Sequence, residues 1–245
     1  MSSKGGSNKN KRVSLPKSRH VLRKKFTWAI RPTPGPHNKK AVLPLGEIIR
    51  DKLGLASNRK ETKAILSGKG VFVDEKPRTD SRFPVGLFDI VRIEAEKKRY
   101  RMVFDSKGRL QLHEMDSKEK ALKVCRIVRK KILGKDQVQL TTHDGRTFLE
   151  KGKTKAKTGD SLVIELPSQK IVETLALEKG KMGYIFSGIH AGTPGKIVGV
   201  MEGTMRKDAL VEMQTSQETV QALRENIIVI GEKEPVIGIA WNKKE

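Results

Sequence analysis

The chain has 245 residues, with 51 Lys or Arg against 28 Asp or Glu, a formal net charge of +23 and a sequence pI near 10.1. Such a balance selects a polyanionic partner, because Lys and Arg that neutralise phosphates release counterions. Its one cysteine, Cys125, excludes an internal disulfide scaffold and suits a reducing compartment. No apolar run approaches the roughly 20 residues of a spanning helix, and no secretory leader is expected.

The charge is unevenly placed. Residues 1–40 hold 12 Lys or Arg and no acid, residues 41–100 carry a net +4, residues 101–175 a net +7, and residues 176–245 a net charge of 0. Polyanion binding is therefore expected in the front and middle of the chain, with the last unit working by shape. Two or three small domains with their own cores fit this length. The divisions expected are a basic arm over 1–40, a first domain over 41–98, a central β-rich domain over 99–174 and a last unit over 175–245.

Residues 1–12 are Ser, Gly, Asn, Lys and Arg with little to bury, and are expected to order only on a neutralising surface. From Val13 onward apolar and aromatic residues (Val21, Leu22, Phe26, Trp28, Ile30) alternate with cations, and Arg31-Pro32-Thr33-Pro34-Gly35-Pro36-His37 fixes an extended path. Two readings stand side by side here. Phe26 and Trp28 stack on unpaired bases while Lys and Arg hold phosphates, or they pin the segment to the domain that follows. The arm's candidate contacts are Lys11, Arg12, Lys17, Arg23, Lys24, Lys25, Trp28, Arg31 and His37.

Pro44 suits a first helical turn, and Leu45, Ile48, Ile49 and Leu53 recur at helical spacing. Asn58 with Glu61 three residues on has capping-box spacing for a second helix, which Gly68 is placed to end. Arg59, Lys60 and Lys63 make one side of that helix cationic, opposite Ile65 and Leu66. Gly70–Val73 reads as a strand, Asp74–Pro77 as a turn and Val85–Ile93 as a returning strand. Two helices with a basic second member, followed by Gly70-Val71-Phe72-Val73-Asp74-Glu75-Lys76-Pro77 and Val85 to Ile93, resemble the S4-type RNA-binding domain. That resemblance implies a grip on structured RNA through Arg59, Lys60, Lys63, Lys69, Lys76, Arg78 and Arg82.

Tyr100–Phe104, a turn and Leu110–His113 read as a hairpin, Asp116–Leu122 as a short helix, and Val124–Ile132 as an imperfectly alternating strand. Val138–Thr142 and Thr147–Leu149 form a second hairpin around Asp144-Gly145, and Leu162–Leu166 is a further strand. Arg126, Arg129, Lys130 and Arg146 are the candidate contacts of this unit. In the last unit, Gly180 to Gly188 and Ala191 to Val200 place short strands around a glycine-rich loop, which resembles a KOW motif; Val211–Met213, Thr219–Leu223 and Ile227–Ile230 supply the remaining strands. Its glycines are either barrel corners or sites of close approach by another backbone. The expected fold class is thus an α+β N-terminal S4-like RNA-binding domain, then mostly β domains ending in a KOW/SH3-like small β-barrel.

Catalytic signatures are not found. Gly152-Lys153-Thr154 has Thr147 where a phosphate-binding loop has its first glycine, and Cys and His lack metal-ligand spacing. No cofactor, metal, membrane or small-molecule substrate is expected, and the chain is not read as an enzyme. Arranged in this order on one chain, the Arg31–His37 stretch, Leu43 to Leu53, Thr142-His143-Asp144-Gly145-Arg146-Thr147 and the KOW-like end resemble the S4e family of ribosomal proteins, with the short segment after Trp241 resembling archaeal members. The resemblance implies a structural protein of the small ribosomal subunit, cytoplasmic in the ribosome, with small-subunit rRNA and neighbouring ribosomal proteins as partners. The rival readings are an S4/KOW-type regulator of transcription and an accessory to RNA modification.

Overall fold

Local chemistry fixes the longest helix. Asn58 Oδ1 accepts from the backbone N–H groups of Lys60 and Glu61, at 2.9 and 3.0 Å, and so opens α2 (Arg59–Ser67). Glu61 closes the box one residue early, accepting from Ser57 N at 2.7 Å. Gly68 is right-handed at the helix end, and the left-handed turn falls to Lys69 at φ 57°. The computed structural model describes residues 10–116, 121–133, 137–152, 154–205, 207–215 and 218–238. Within those residues the chain is mostly β with few helices.

The arm opens with a short pairing of β1 (Asn10–Lys11) and β2 (Trp28–Ala29). Then β3 (Leu43–Pro44) leads into α1 (Leu45–Glu47), which widens into a π-type turn over Ile48–Lys52, where Leu53 N donates to Ile48 O at 2.9 Å. Pro44 therefore stands just before the helix as its cap rather than inside its first turn. After α2 come β4 (Val71–Val73), β5 (Lys76–Pro77), β6 (Pro84–Val85), β7 (Ile90–Ile93), β8 (Lys98–Phe104) and β9 (Leu110–Glu114). Strands β5-β4-β7-β8-β9 form one antiparallel sheet. The expected boundary at 98/99 is corrected by this pairing: the Tyr100–His113 hairpin extends the first sheet, because the apolar faces of Met102 and Leu110 complete the core begun by Val71, Val91 and Ile93.

The central sheet, in the order β12-β11-β10-β13-β14, comprises β10 (Leu122–Ile132), β11 (Gln137–Thr142), β12 (Thr147–Lys151), β13 (Ser161–Glu165) and β14 (Lys170–Leu175). A register shift between Ile127 and Arg129 lets β10 pair β13 with its first half and β11 with its second. The helix expected over Asp116–Leu122 falls mostly on 117–120, outside the described residues, and Leu122 itself begins β10. The third sheet, β18-β17-β16-β15-β19, contains β15 (Met182–Ile185), β16 (Pro194–Met201), β17 (Leu210–Gln214), β18 (Thr219–Leu223) and β19 (Ile227–Gly231).

The last unit is seated on the first. Tyr184 Oη accepts from Phe104 N at 2.9 Å and donates to Phe104 O at 3.0 Å, while a Cβ on Gly192, at φ +91°, would fall 2.1 Å from Asp105 O. The backbone that approaches this glycine is the protein's own. Arg101 NH1 reaches Gly238 O at 2.9 Å and its NH2 reaches Leu122 O at 3.0 Å, so one fully buried guanidinium ties three segments.

Candidate nucleic-acid interface

Three turns, one in each of three segments, deliver aspartates to one point. Asp74 and Glu75 make the two-residue turn between β4 and β5 with φ 51° and 60°, a left-handed pair that usually calls for Asn or Gly. Asp89 precedes β7, and Asp144 lies in the β11–β12 turn, just before Gly145 at φ 77°. Lys123, buried at the start of β10, sends its ammonium among all three: 2.8 Å to Asp74, 2.5 Å to Asp89 and 3.0 Å to Asp144. Arg146 completes the knot, with Nε 3.0 Å from Asp144 and NH2 on Asp74. From the arm, His37 Nε2 lies 2.9 and 3.0 Å from the two Asp89 oxygens, and only a glycine at 86 leaves room for its ring.

The electrostatics follow from burial set against these contacts. Burial opposes a charged Lys123, but Asp74, Asp89 and Asp144 outweigh it and hold the ammonium protonated well above its usual range. For Asp89, burial is outweighed by His37 and Lys123, and for Asp144 by Lys123 and His143, so both stay ionised well below the usual carboxylate range. Asp74 moves the other way: burial, with Asp89 adding repulsion, raises it despite Lys123 and Arg146. Burial lowers His143 to about 3, so its ring is neutral, and its Nδ1 accepts from Arg126 N at 3.1 Å.

Cys125, His143 and Asp144 bring three potential metal-ligand atoms within 4.8 Å of one another. The chemistry of the set opposes a cation. Asp144 is already held by Lys123, Arg146 and Thr142, His143 Nδ1 is used as an acceptor, and burial keeps the Cys125 thiol protonated, donating to Asp144 at 3.4 Å.

The expected contact residues divide sharply. Lys11, Lys17, Arg23, Lys24, Lys25, Arg59, Lys60, Lys63, Lys69, Lys76 and Arg129 are exposed, as is half of Trp28. Arg12, His37 and Arg146 are turned inward. Arg12 is 1% exposed and donates to Asp51 at 3.0 Å and to Leu22 O at 2.8 Å; His37 and Arg146 belong to the ion knot. In this conformation all three hold the protein together, because each pairs with a carboxylate on another segment: Arg12 with Asp51, His37 with Asp89, and Arg146 with Asp74 and Asp144. Lys130 is half-buried, donating to Thr154 O and Ala156 O at 3.1 and 2.8 Å, and Arg126 lies against Arg224. Arg31, Arg78 and Arg82 are part-buried along the strap formed by residues 31–37.

The arm's own attachment reverses one reading. Phe26 and Trp28 are 47% and 51% exposed, and the pins are arginines: Arg12 on Asp51, and Arg19 on Glu47 at 2.5 Å, both side chains of the latter pair 1% exposed. Phe26 is ringed by Arg12, Arg50 and Lys25 at 5.0 to 5.7 Å. Sequence reasoning missed Arg19 and Lys123 as organising residues. The signal for Lys123 was a cation between Leu122 and Val124 in a strand whose neighbours are buried.

Two clefts lie on either side of Gly35. One, of about 440 Å³, is lined by Lys76, Arg78, Arg146 and the three aspartates; the other, of about 570 Å³, by Arg31, Lys39 and Arg82. No helix among the described residues is long and apolar enough to cross a membrane.

Comparison with known proteins finds relatives in sequence and in structure. Residues 96–171 match the sequence profile described as ribosomal family S4e. A small ribosomal subunit protein eS4 from Korarchaeum cryptofilum is 35% identical over 97% of this chain and 99% of its own, and one from Nanoarchaeum equitans is 37% identical over 90% and 94%. The crystal structure of the 30S ribosomal protein S4e from Thermoplasma acidophilum superposes with a TM-score of 0.69 at 32% identity, covering 80% of this chain and 99% of that one. With that degree of identity sustained over nearly the full length of such relatives, the chain belongs to the ribosomal protein S4e family.

Proposed function

We propose that this protein is a structural constituent of the small ribosomal subunit, cytoplasmic in the ribosome, that binds small-subunit rRNA and neighbouring ribosomal proteins and performs no catalysis. The observation that carries the reading is the exposure of the cations against a neutral last unit. Lys11, Lys17, Arg23, Lys24 and Lys25 are exposed on the arm beside Phe26 and Trp28, and Arg59, Lys60 and Lys63 line the solvent face of α2. Residues 176–245 carry a net charge of 0. Phosphate contacts from such a surface position a protein on folded RNA, and exposed aromatics add sequence-tolerant stacking.

In this reading the first unit acts as an S4-type RNA grip, with Lys69, Lys76, Arg78 and Arg82 around its hairpins. The last sheet acts as a KOW-type barrel that holds the assembly together. Tracking the protein through a density gradient tests the proposal: co-migration with small subunits is expected, and co-elution mainly with RNA polymerase would reject it.

A further inference from the structure

We infer that the cleft between the Asp74–Lys76 hairpin, the Pro36 strap and the Asp144–Arg146 turn is a seat for one phosphate group. Where that phosphate is an RNA backbone diester, the inference rests on the rRNA-binding reading above. The cleft encloses about 440 Å³, within the roughly 300–1,000 Å³ typical of ligand sites. Among the described residues, Arg78 Nε and Arg146 NH1 are buried donors without an acceptor, and both residues line this cleft. Leaving charged donors dry and unpaired forfeits their hydration with nothing in return.

The carboxylates lining the same cleft do not fill the gap. Asp74 and Asp144 are taken by Lys123 and Arg146, and Asp89 by Lys123 and His37. Arg78 is held with its guanidinium 4.3 Å from the Phe83 ring centroid, which restrains it beside the cleft. A phosphate answers each requirement: several acceptor oxygens for two forks, and negative charge beside Lys76. A water fills one donor and brings no charge. Beyond Gly35 the cationic lining continues through Arg31, Lys39 and Arg82, as a run of phosphates would need. Because Arg78 comes from the first sheet and Arg146 from the central one, the seat is complete only when those two units are docked.

The test uses the full chain in two arms. In the first, affinity for a small-subunit rRNA transcript is measured across salt for Arg78→Gln, Arg78→Lys and Lys179→Gln, the last an exposed cation of the neutral unit. Arg78→Gln is expected to lose roughly tenfold in affinity and about one unit of salt slope. Arg78→Lys should keep the slope without the affinity, and Lys179→Gln should match wild type. In the second arm, Tm is compared in inorganic phosphate and in chloride at equal ionic strength, and a phosphate-specific rise in wild type that Arg78→Gln abolishes is expected if free phosphate also fills the seat.

An effect in the first arm identifies an RNA phosphate, and an effect in the second arm alone identifies a free one. Arg78→Gln indistinguishable from wild type in both overturns the inference. If Arg78→Gln does not fold, Arg146→Lys, which keeps a cation beside Asp74 and Asp144 but removes the unpaired nitrogen, is read the same way. Failure of wild type to bind the transcript would defeat the ribosomal reading, and the phosphate arm would still decide the seat.

Discussion

Replacing Lys123 with Met tests the ion knot directly. The side chain is about the same length and apolar, so the change removes the ammonium without opening a large cavity. Three aspartates that now lie 2.5 to 3.0 Å from that ammonium would be left with Arg146 and His37 as the remaining partners in ion pairs among the described residues. Removing one partner from a buried ion pair costs about 3–5 kcal/mol, because the remaining charge stays dry and unpaired. For a chain of this size each kcal/mol moves Tm by about 2–4 °C, so a fall of roughly 6–20 °C is expected at pH 7. The sign with pH is fixed by the carboxylates. Asp89 and Asp144 are held below their usual range in the folded wild type, so their contribution is present above the unfolded value of about 3.9 and lost as pH falls through the folded values. In Lys123→Met burial and mutual repulsion raise them, and protonation relieves the strain earlier. The gap between variant and wild type should therefore shrink between pH 7 and about pH 4. Urea titrations at both pH values measure it, and a gap under about 1 kcal/mol at pH 7, or one that does not change with pH, would refute the account.

Four further outcomes are expected. Arg19→Met leaves Glu47 buried without its partner, so about 3–5 kcal/mol is lost, and limited proteolysis should cut between residues 13 and 40 before it cuts the sheets; an uncut arm would count against the arginine pins. His143→Gln should flatten stability between pH 6.5 and about 3, since a ring held neutral at about 3 costs wild type roughly 1.4 kcal/mol per pH unit as pH falls through that window. Arg59→Glu with Lys63→Glu should impair incorporation into small subunits with little change in Tm, both side chains being exposed on α2; normal incorporation would remove that face from the interface. Deleting residues 1–40 should flatten the salt dependence of rRNA binding more than deleting residues 176–245, which comparable slopes would contradict.

What the sequence made legible was local, and what it hid was distant. Asn58 and Glu61 announce α2 because a cap is a matter of neighbours, and Asp144-Gly145 announces a hairpin because its tight loop needs a left-handed residue, which Gly145 supplies. The register that joins Tyr100–Phe104 to the first sheet could not be read that way, since either sheet offered an apolar face for the same alternation. For the same reason the arm's cations looked interchangeable in sequence. Lys24 and Arg12 differ in that the folded chain places Asp51 beside one of them, and an arginine that meets a carboxylate becomes a fastening while its neighbours stay exposed. Net charge thus overstates the binding surface wherever aspartates gather on turns. Asp74, Asp89 and Asp144 are 15 and 55 residues apart in sequence, and only the convergence of their turns on Lys123 shows that part of the positive charge is spent inside. Three of the residues expected to meet RNA, Arg12, His37 and Arg146, also join the arm and the central sheet to the first unit. Rigidity of the frame and presentation of the outer cations are therefore one problem: the outer charges form a fixed array because the inner ones are already neutralised.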